Sequence, residues 1–397
     1  MMSPRIRSCI GALLFASIAP FEPVGAQVDS TMAQEGIYDR PFIGGAATAI
    51  GGYVEGNTNY FVEDGVTEGL SMELRRFNVF LFSQVSPRVR FLSELEFEHG
   101  TEEIALETAL IDFEVSPSFT LRAGIILPPI GFLNQNHDSP RWDFVERPLV
   151  STDIIPSTLS EVGFGVYGRI PGRSMIFTYD AYLTNGLGNA IVGNELGRTD
   201  IPSGKSEEMF SEDNNGSPAI SSRVALRVPA LGEVGASYYG GYYNSSQVEG
   251  VDVDERRWLG IGALDIGGTL GPAEVRGEIA YASIEVPDGL VELFGDTQWG
   301  AHLDVLLPVW YPRFAGYPTA VVTAGLRVEK VDYNVGTFSS TGLSIRDDVT
   351  AIVPGISFRP TADTVFRVNY RYHWSRDFPG NPTSRMAGFQ VGFATYF

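Results

Sequence analysis

The chain ends in the stretch Met386–Phe397, which reads MAGFQVGFATYF. Large apolar residues at Phe389, Val391 and Phe393 alternate there with small or polar ones, and the last residue is aromatic. Successive side chains of a β-strand point to opposite faces. The alternation therefore predicts a strand that has one apolar face and one small or polar face.

The same alternation recurs along most of the chain. It is clearest in RFLSELEFEH (90–99), AISSRVALRV (219–228) and TVFRVNYRYHW (364–374). In each segment, charged residues occupy the face opposite to the apolar one. Two folds have such strands. In soluble β-sandwiches the polar faces are exposed to the surrounding water, and in transmembrane barrels they line a water-filled lumen.

The lengths of the connections favour the barrel. Short turns that contain Pro, Gly or Ser alternate with long connections, and the brief link after His99 is the main exception. The long connections are 127–158, 185–217, 244–255, 286–296, 333–347 and 375–385. Short periplasmic turns and long external loops are typical of outer-membrane barrels. The sequence therefore predicts an all-β fold, a transmembrane antiparallel β-barrel over 44–397.

We predict about sixteen strands, an even number that places both ends of the barrel on the periplasmic side. They are 44–55, 70–84, 88–99, 104–115, 118–126, 159–170, 173–184, 218–228, 232–243, 256–267, 272–284, 296–307, 318–331, 348–358, 363–374 and 385–397. Glycine blurs the alternation in 44–55 and 256–267, so fourteen or eighteen strands stay open. The first and last strands are expected to pair and close the sheet.

Residues 1–26 have the features of a secretory signal peptide. Arginines near the start precede a short apolar run, and small residues end at Ala26, so we expect cleavage there and a short periplasmic segment over 27–43. The only cysteine, Cys9, lies in this peptide, so no disulfide is expected in the exported protein.

Composition and spacing argue against several other functions. The formal net charge of −20 disfavours nucleic-acid binding, which depends on neutralising phosphates with basic residues. The four histidines, His99, His137, His302 and His373, lack the spacing of metal ligands, so we expect no metal and no cofactor. A single serine near His373, Ser375, is too little for a catalytic constellation, so we expect no enzyme.

Aromatic residues fall where a barrel meets the two membrane interfaces. We expect Trp310, Tyr311, Phe314 and Tyr317 at the inner interface, and Tyr239, Tyr243, Tyr372 and Trp374 near the outer one.

The aromatic end of the last strand has a second implication. An alternating final strand with a terminal aromatic residue resembles the signal that the barrel assembly machinery of the outer membrane recognises. We assign Phe393 and Phe397 to this signal. The expected location is the bacterial outer membrane, with its lipid around the barrel.

Several stretches resemble the phosphate-selective porin O and P family of bacterial outer membranes. They are LRAGIILPPIGF, WDFVERPLV, IPSTLSEVGFGVYGRIPG and GISFRPTADTVFRVNYRYHW. The resemblance covers about 70–190 and 350–397 and implies a sixteen-stranded, trimeric channel. Phosphate selectivity in that family is associated with an arginine ladder and with lysines near the constriction. This chain departs from that pattern, because its only lysines are Lys205 and Lys330.

The connection 127–158 follows the fifth predicted strand, where sixteen-stranded porins commonly fold a loop into the lumen. It is long and stiffened by prolines, so we expect it to fold inward and narrow the pore. Its candidate constriction residues are Asp138, Arg141, Asp143, Glu146 and Arg147, with the two arginines facing or pairing the three acids. The open alternative is a loop that lies over the mouth, with charges that only satisfy one another.

The polar faces of the strands supply candidate pore-lining residues. They are Arg76, Glu94, Glu96, Glu98, Asp112, Glu114, Arg122, Arg223, Arg227, Arg327, Arg367, Arg371 and His373. The acids concentrate on strands three and four. Opposed rows of acids and arginines would set a transverse field across a narrow lumen. Local cross-strand pairing, as between Arg276 and its acidic neighbours, would stabilise the wall without selecting solutes.

The expected function is passive diffusion of small hydrophilic solutes or inorganic ions, filtered by pore size and lumen charge. A homotrimer is the expected assembly. One alternative is an anion or phosphate channel that uses its lumen arginines. A further alternative is a structural or adhesive barrel without transport.

Overall fold

Sixteen long antiparallel strands form one closed sheet. The computed structural model describes residues 40–41, 43–44 and 48–397, apart from 212, 214, 230, 314–315 and 378–379. The predicted signal peptide and most of segment 27–43 lie outside the described residues. The last strand pairs with the first, which closes the barrel. Strands β1 to β16, in chain order, are Thr48–Glu63, Leu70–Ser86, Val89–Glu98, Glu103–Ser116, Phe119–Ile126, Glu161–Pro171, Ile176–Thr184, Ala219–Val228, Gly232–Tyr242, Trp258–Leu270, Ala273–Ile284, Thr297–Trp310, Val321–Asn334, Asp347–Thr361, Thr364–Arg376 and Ser384–Tyr396.

The remaining elements are short. Ile43–Gly44 pairs with the start of β1, and Gln247–Val248 pairs with Val251–Asp252 in a long loop. The helical turns are Ser139–Arg141, Val150–Ile154, Asn189–Ile191, Pro202–Gly204, Glu207–Phe210 and Val291–Phe294. In the part of the chain that the structure describes, no helix has the length and apolar character needed to cross a membrane.

The two ends of the barrel differ in the length of their connections. At one end, called the short-turn end, consecutive strands are joined by tight turns such as 87–88, 117–118 and 362–363. At the other, the long-loop end, the connections include 127–160 and 185–218. The predicted alternation of short and long connections is confirmed.

The outer face of the barrel is apolar and exposed. On β16, Phe389, Val391 and Phe393 are 57%, 44% and 41% exposed, whereas Gln390 and Ala394 on the opposite face are buried. Each long strand is paired with a neighbour on both sides, so its backbone polar groups are satisfied without water. An apolar belt around such a sheet defines a transmembrane β-barrel, and the predicted fold class is confirmed.

The first strand differs from its predicted bounds. It runs from Thr48 to Glu63 rather than over 44–55. The predicted strand ended before the polar segment 56–59. In the barrel that segment pairs with β2 on one side and β16 on the other, so its backbone is fully paired as strand.

Glycines in β1 make room for the end of the chain. A Cβ atom added to Gly52 would lie 2.5 Å from the ring of Phe397, and one added to Gly56 would lie 2.7 Å from the ring of Phe393. Phe397 also stacks on Phe77, with ring centroids 5.6 Å apart. Gly52, one of the glycines that blurred the alternation, and Gly56 therefore accommodate the aromatic rings at the seam that closes the barrel.

Two tyrosines predicted at the outer interface point inward instead. Tyr239 is 1% and Tyr243 is 2% exposed, whereas Tyr238 is 42% exposed on the outer face. The prediction misplaced the face of β9 by one residue, which moves a side chain to the opposite side of the sheet. Trp310 and Tyr311, predicted at the inner interface, are exposed near the short-turn end.

Candidate functional site: the lumen

The connection between β5 and β6, residues 127–160, is called here the inner loop. Its backbone N–H groups at Phe132 and Leu149 donate to the carboxylates of Glu278 and Glu329 at 2.7 and 2.8 Å. These two acids lie on the inner faces of β11 and β13. Irregular backbone within a membrane barrel needs such partners, because a buried N–H group without one is costly.

Wall arginines hold the carbonyl groups of the same loop. Arg327 donates to the backbone oxygen of Glu146 at 2.7 Å, and Arg367 donates to that of Phe144 at 2.9 Å. Arg359 donates to two further carbonyl oxygens of the loop. Since residues of β11, β13, β14 and β15 bond one segment, the inner loop lies inside the barrel and not over its mouth.

Asp138, a predicted constriction residue, lies at the centre of a buried network. It accepts two hydrogen bonds from Arg40, at 2.6 and 3.0 Å, and one from the hydroxyl of Tyr396 at 2.7 Å. Arg141 lies 4.0 Å away. Burial opposes ionisation of this carboxyl group, but Arg40, Arg141 and His137 together hold the pKa of Asp138 well below its usual range.

The other two acids of the inner loop pair with wall residues. Asp143 accepts hydrogen bonds from Ser357 at 2.8 Å and from Arg359 at 3.2 Å. Burial alone would raise the pKa of Asp143, but Arg359 and a second wall arginine lower it. Glu146 pairs with Arg75 at 2.7 Å. The acids therefore face wall cations and not mainly the arginines of their own loop.

Arg147 is placed differently from its prediction. It donates to the hydroxyl of Thr158 at 3.0 Å, and among the described residues no carboxylate lies within ion-pair distance of it. Burial, and then the charge of Arg76, lower the pKa of Arg147. Lys205 donates to the backbone oxygen of the same threonine at 3.3 Å. Of the two loop arginines, Arg141 alone lies beside a loop acid.

The predicted pore-lining residues occupy the inner faces of the strands, and most of their arginines form ion pairs. The pairs have distances of 2.6–3.1 Å: Arg76 with Glu55, Glu96 and Glu98; Arg122 with Asp112; Arg223 with Glu233 and Asp265; Arg327 with Asp304; Arg367 with Glu55; Arg371 with Glu329. Glu114 lies 3.9 Å from Arg90, and His373 accepts a long hydrogen bond from Arg371. Arg227 is buried. Acids and arginines are therefore interleaved, as in local cross-strand pairing.

Part of the lumen near the long-loop end is packed with apolar side chains, which the sequence analysis missed. We call this set the apolar cluster. Its loop members are Ile130, Val150, Ile154, Ile155, Leu159, Leu187, Ile191, Ile201 and Met209. Its other members lie on the strands or next to their ends: Ala219, Tyr239, Tyr243, Leu259, Ile261, Ala263, Ala280, Ala282, Ile284, Val286, Val331 and Tyr333. The inner loop and the loop 185–218 thus cover part of the inner face of β8–β11 and β13.

The inner faces of β1–β5, β15 and β16 differ and are called here the charged wall. Along β3, the side chain of Arg90 is 30% exposed near the short-turn end, and that of Glu98 is 22% exposed near the long-loop end. Between them, Leu92, Glu94 and Glu96 are 0–5% exposed. We call the band of the lumen at the level of these three covered side chains the closed layer. Successive inward-facing residues of a strand are about 7 Å apart, so the closed layer is about 14 Å deep.

The closed layer contains a group that spacing along the chain could not have revealed. Glu94, His137 and Asp138 each place one potential ligand atom within 4.8 Å of the others. The guanidinium group of Arg40 lies against both carboxylates of this group, 2.8 Å from Glu94 and 2.6 Å from Asp138. Burial alone would lower the pKa of His137, but the carboxylates of Glu107 and Glu94 raise it to about 10.

Arg40, Glu55, Glu107 and Arg359 are the main residues of the lumen that sequence reasoning missed. Glu107 lies at a register shift between β3 and β4, where simple alternation fails, and Arg359 lies just beyond the predicted end of its strand. Glu55 is the last residue of the first predicted strand and lies at a register shift between β1 and β2. Arg40 precedes the barrel, and the sequence contains no periodic signal that places it in the lumen.

Comparisons with known proteins agree with the barrel. No protein-family model matches the chain. An uncharacterized protein of Aquifex aeolicus (strain VF5) is 32% identical over 198 residues, which is 48% of this chain and 43% of that protein. The match thus spans less than half of that relative.

Solved structures align over most of the chain. The anion-selective porin from Comamonas acidovorans has a TM-score of 0.56 and 13% identity, covering 88% of this chain and 99% of that one. The trimer form of in-vitro folded OmpT, an outer-membrane protein of Vibrio cholerae, has a TM-score of 0.53 and 10% identity, covering 88% of this chain and 100% of that one. The chain therefore has the sixteen-stranded fold found in outer-membrane porins.

Proposed function

We propose that this protein is an outer-membrane porin through which small hydrophilic solutes and inorganic ions diffuse passively. The observation that carries the proposal is the exposure along the inner face of β3. Charged side chains there are partly solvated near both ends, at Arg90 and Glu98, and are covered between them. Two aqueous vestibules that meet at a narrow charged layer are the arrangement that a diffusion channel with an electrostatic filter requires.

The inner loop forms the constriction in this proposal. Its charged residues Asp138, Arg141, Asp143, Glu146 and Arg147 narrow the lumen. Of these, Asp138 lies within the closed layer beside Glu94, and Glu146 lies at its edge with a partly exposed side chain. Solutes exchange bulk water for the hydrogen bonds and fixed charges of the charged wall.

A mild preference for cations follows from the charge distribution. Six of the seven predicted lumen arginines are neutralised by carboxylates within 3.1 Å, and the chain has a net charge of −20. Paired arginines attract anions weakly, because each ion pair is close to neutral at a distance.

An anion channel is the second candidate. It is favoured by Arg147 and Lys205, two cations on either side of Thr158 that among the described residues have no carboxylate partner within 4.0 Å. Membership of the phosphate-selective O and P family belongs to this candidate, and the resemblance of the quoted stretches supports it.

Location and assembly form part of the proposal. The protein is exported by the signal peptide 1–26 and recognised through Phe393 and Phe397 by the barrel assembly machinery. It lies in outer-membrane lipid with its short turns on the periplasmic side. A homotrimer is supported by the fold, since a structure that aligns with this chain is described as a trimer form.

Ion selectivity in planar bilayers tests the function. The purified, refolded protein is expected to give stepwise currents, and the reversal potential in a tenfold KCl gradient is expected to have the sign of cation preference. A reversal potential of the opposite sign would favour the anion channel. An absence of current from correctly folded protein would favour a structural or adhesive barrel.

A further inference from the structure

Phe80, Glu94 and Asp138 surround the guanidinium group of Arg40, and we call them the cradle. They have the features of a binding site for a planar cation. Two nitrogen atoms of the guanidinium group donate to Asp138 side by side, at 2.6 and 3.0 Å. A third nitrogen lies 2.8 Å from a carboxylate oxygen of Glu94. The flat face of the group lies 4.0 Å from the ring centroid of Phe80. Paired carboxylate contacts and an aromatic face are the two interactions that favour guanidinium groups.

The cradle is held in place by contacts that do not involve Arg40. Asn78 donates to Glu94 at 2.7 Å, and the hydroxyl of Tyr396 donates to Asp138 at 2.7 Å. Glu94, Asn78 and Tyr396 belong to barrel strands, and Asp138 to the anchored inner loop. The acceptors therefore keep their positions when the guanidinium group leaves. Arg40 itself comes from the segment before the barrel.

We propose that this cradle is a guanidinium-binding site of the constriction, and that Arg40 is its tethered occupant. Free guanidinium or alkylguanidinium cations that enter the lumen compete with Arg40 for Glu94 and Asp138. The site deepens the proposed porin function, on which its role in permeation rests, because it names a class of solute that the closed layer recognises.

The chemistry of the cradle sets its specificity. An ammonium group is a compact, strongly hydrated charge without the planar fork that donates to both oxygens of Asp138. Methylguanidinium is therefore expected to bind more tightly than methylammonium of the same charge. A short tether gives an effective concentration on the order of millimolar, so a free ligand has to exceed that level before it displaces Arg40.

Calorimetric titration of the detergent-solubilised full chain with methylguanidinium tests the site directly. We expect Arg40→Ala to bind at least tenfold more tightly than the wild type. Arg90→Ala removes an arginine side chain outside the cradle, on the inner face of β3. It is the matched control and should behave like the wild type. Adding Asp138→Asn to Arg40→Ala should weaken binding at least tenfold relative to Arg40→Ala alone. If this double variant does not fold, Arg40→Ala combined with Glu94→Gln provides the same test.

The outcomes separate the site from the transport function. Equal binding by the wild type and Arg40→Ala, or binding that ignores both carboxylates, would overturn the proposal. In bilayers, methylguanidinium should block Arg40→Ala at a concentration at least tenfold below that needed for the wild type, and methylammonium should block it less. If every variant gives no current, the porin function fails, while the titration still decides whether the site exists.

Discussion

The apolar cluster and the charged wall line the same lumen but differ in the side chains that form its inner face. On β10, Leu259 and Ile261 point inward and are 0–1% exposed, while Leu264 and Ile266 on the outer face are 57% and 49% exposed. This part of the strand is therefore apolar on both faces, and the charged Asp265 follows further along its inner face. Strands of the charged wall keep an apolar outer face and a charged inner one.

The difference shows what the inner face of a barrel strand responds to. Where water fills the lumen, polar residues are favoured, and the strand alternates. Where apolar side chains of a loop pack on a strand, apolar residues are favoured on its inner face, because burial in a packed interior stabilises them. Apolar residues on both faces of a barrel strand thus indicate an apolar loop surface packed on its inner face.

The largest effect is expected when a buried ion pair of the charged wall is broken. Arg122 donates to both carboxylate oxygens of Asp112 at 2.8 Å, and the acid is fully buried. Arg122→Met leaves this carboxylate without its cation, so the free energy of unfolding should fall by about 3–5 kcal/mol. Urea unfolding in lipid vesicles measures it.

The control for this variant is Arg122→Met combined with Asp112→Asn, which removes the unpaired charge. It should recover most of the lost stability. If the double variant is as unstable as the single one, packing and not charge pairing stabilises this part of the wall.

The apolar cluster should respond to the loss of volume and not to the loss of charge. Ile261→Ala opens a cavity against the loops and should lower the free energy of unfolding by about 2–5 kcal/mol. Leu264→Ala on the outer face of the same strand is the control and should cost less, because lipid fills the space that the side chain leaves. Equal losses in the two variants would mean that the loops do not pack on β10.

The free energy of unfolding is expected to depend on pH through His137 of the inner loop. Its pKa is raised from the ordinary 6.5 to about 10, so its charged form stabilises the fold below pH 6.5, and this contribution is lost as the pH rises towards 10. Stability of the wild type should fall between pH 7 and 10. His137→Gln should show a flatter profile over that interval, and parallel profiles would contradict the assignment.

The smallest stability effect is expected at the edge of the constriction. Arg75 and Glu146 pair at 2.7 Å with side chains 20% and 27% exposed, so Arg75→Gln should cost no more than about 1 kcal/mol. It should nevertheless shift the reversal potential towards cations, because Glu146 loses its partner in the path. Arg385→Gln changes an arginine on the outer face and should leave selectivity unaltered.

Most of the barrel could be predicted from the sequence, because strand alternation and connection length are local properties. The prediction reached sixteen strands, the closing pair and the inward faces of Glu94, Glu96 and Glu98. It misjudged the face of Tyr239, because one residue of register decides the side of the sheet.

The lumen was less predictable, because its contacts join residues far apart in the chain. Arg40 meets Asp138 only after the inner loop has folded into the barrel. The ion pairs of Arg367 with Glu55 and of Arg371 with Glu329 each join strands that are separated by another strand. The apolar cluster combines residues of two long loops with residues of five strands, so no single stretch of sequence shows it.

Cysteine accessibility tests the central claim, that solutes pass along the charged wall and not through the apolar cluster. The native chain has one cysteine, Cys9, in the predicted signal peptide, so single substitutions report on their own position. In bilayers, Glu98→Cys should react with a charged methanethiosulfonate reagent and change the current, whereas Ala282→Cys, at a position fully buried in the apolar cluster, should not react. Modification of Ala282→Cys as fast as that of Glu98→Cys, with a similar change in current, would contradict the account.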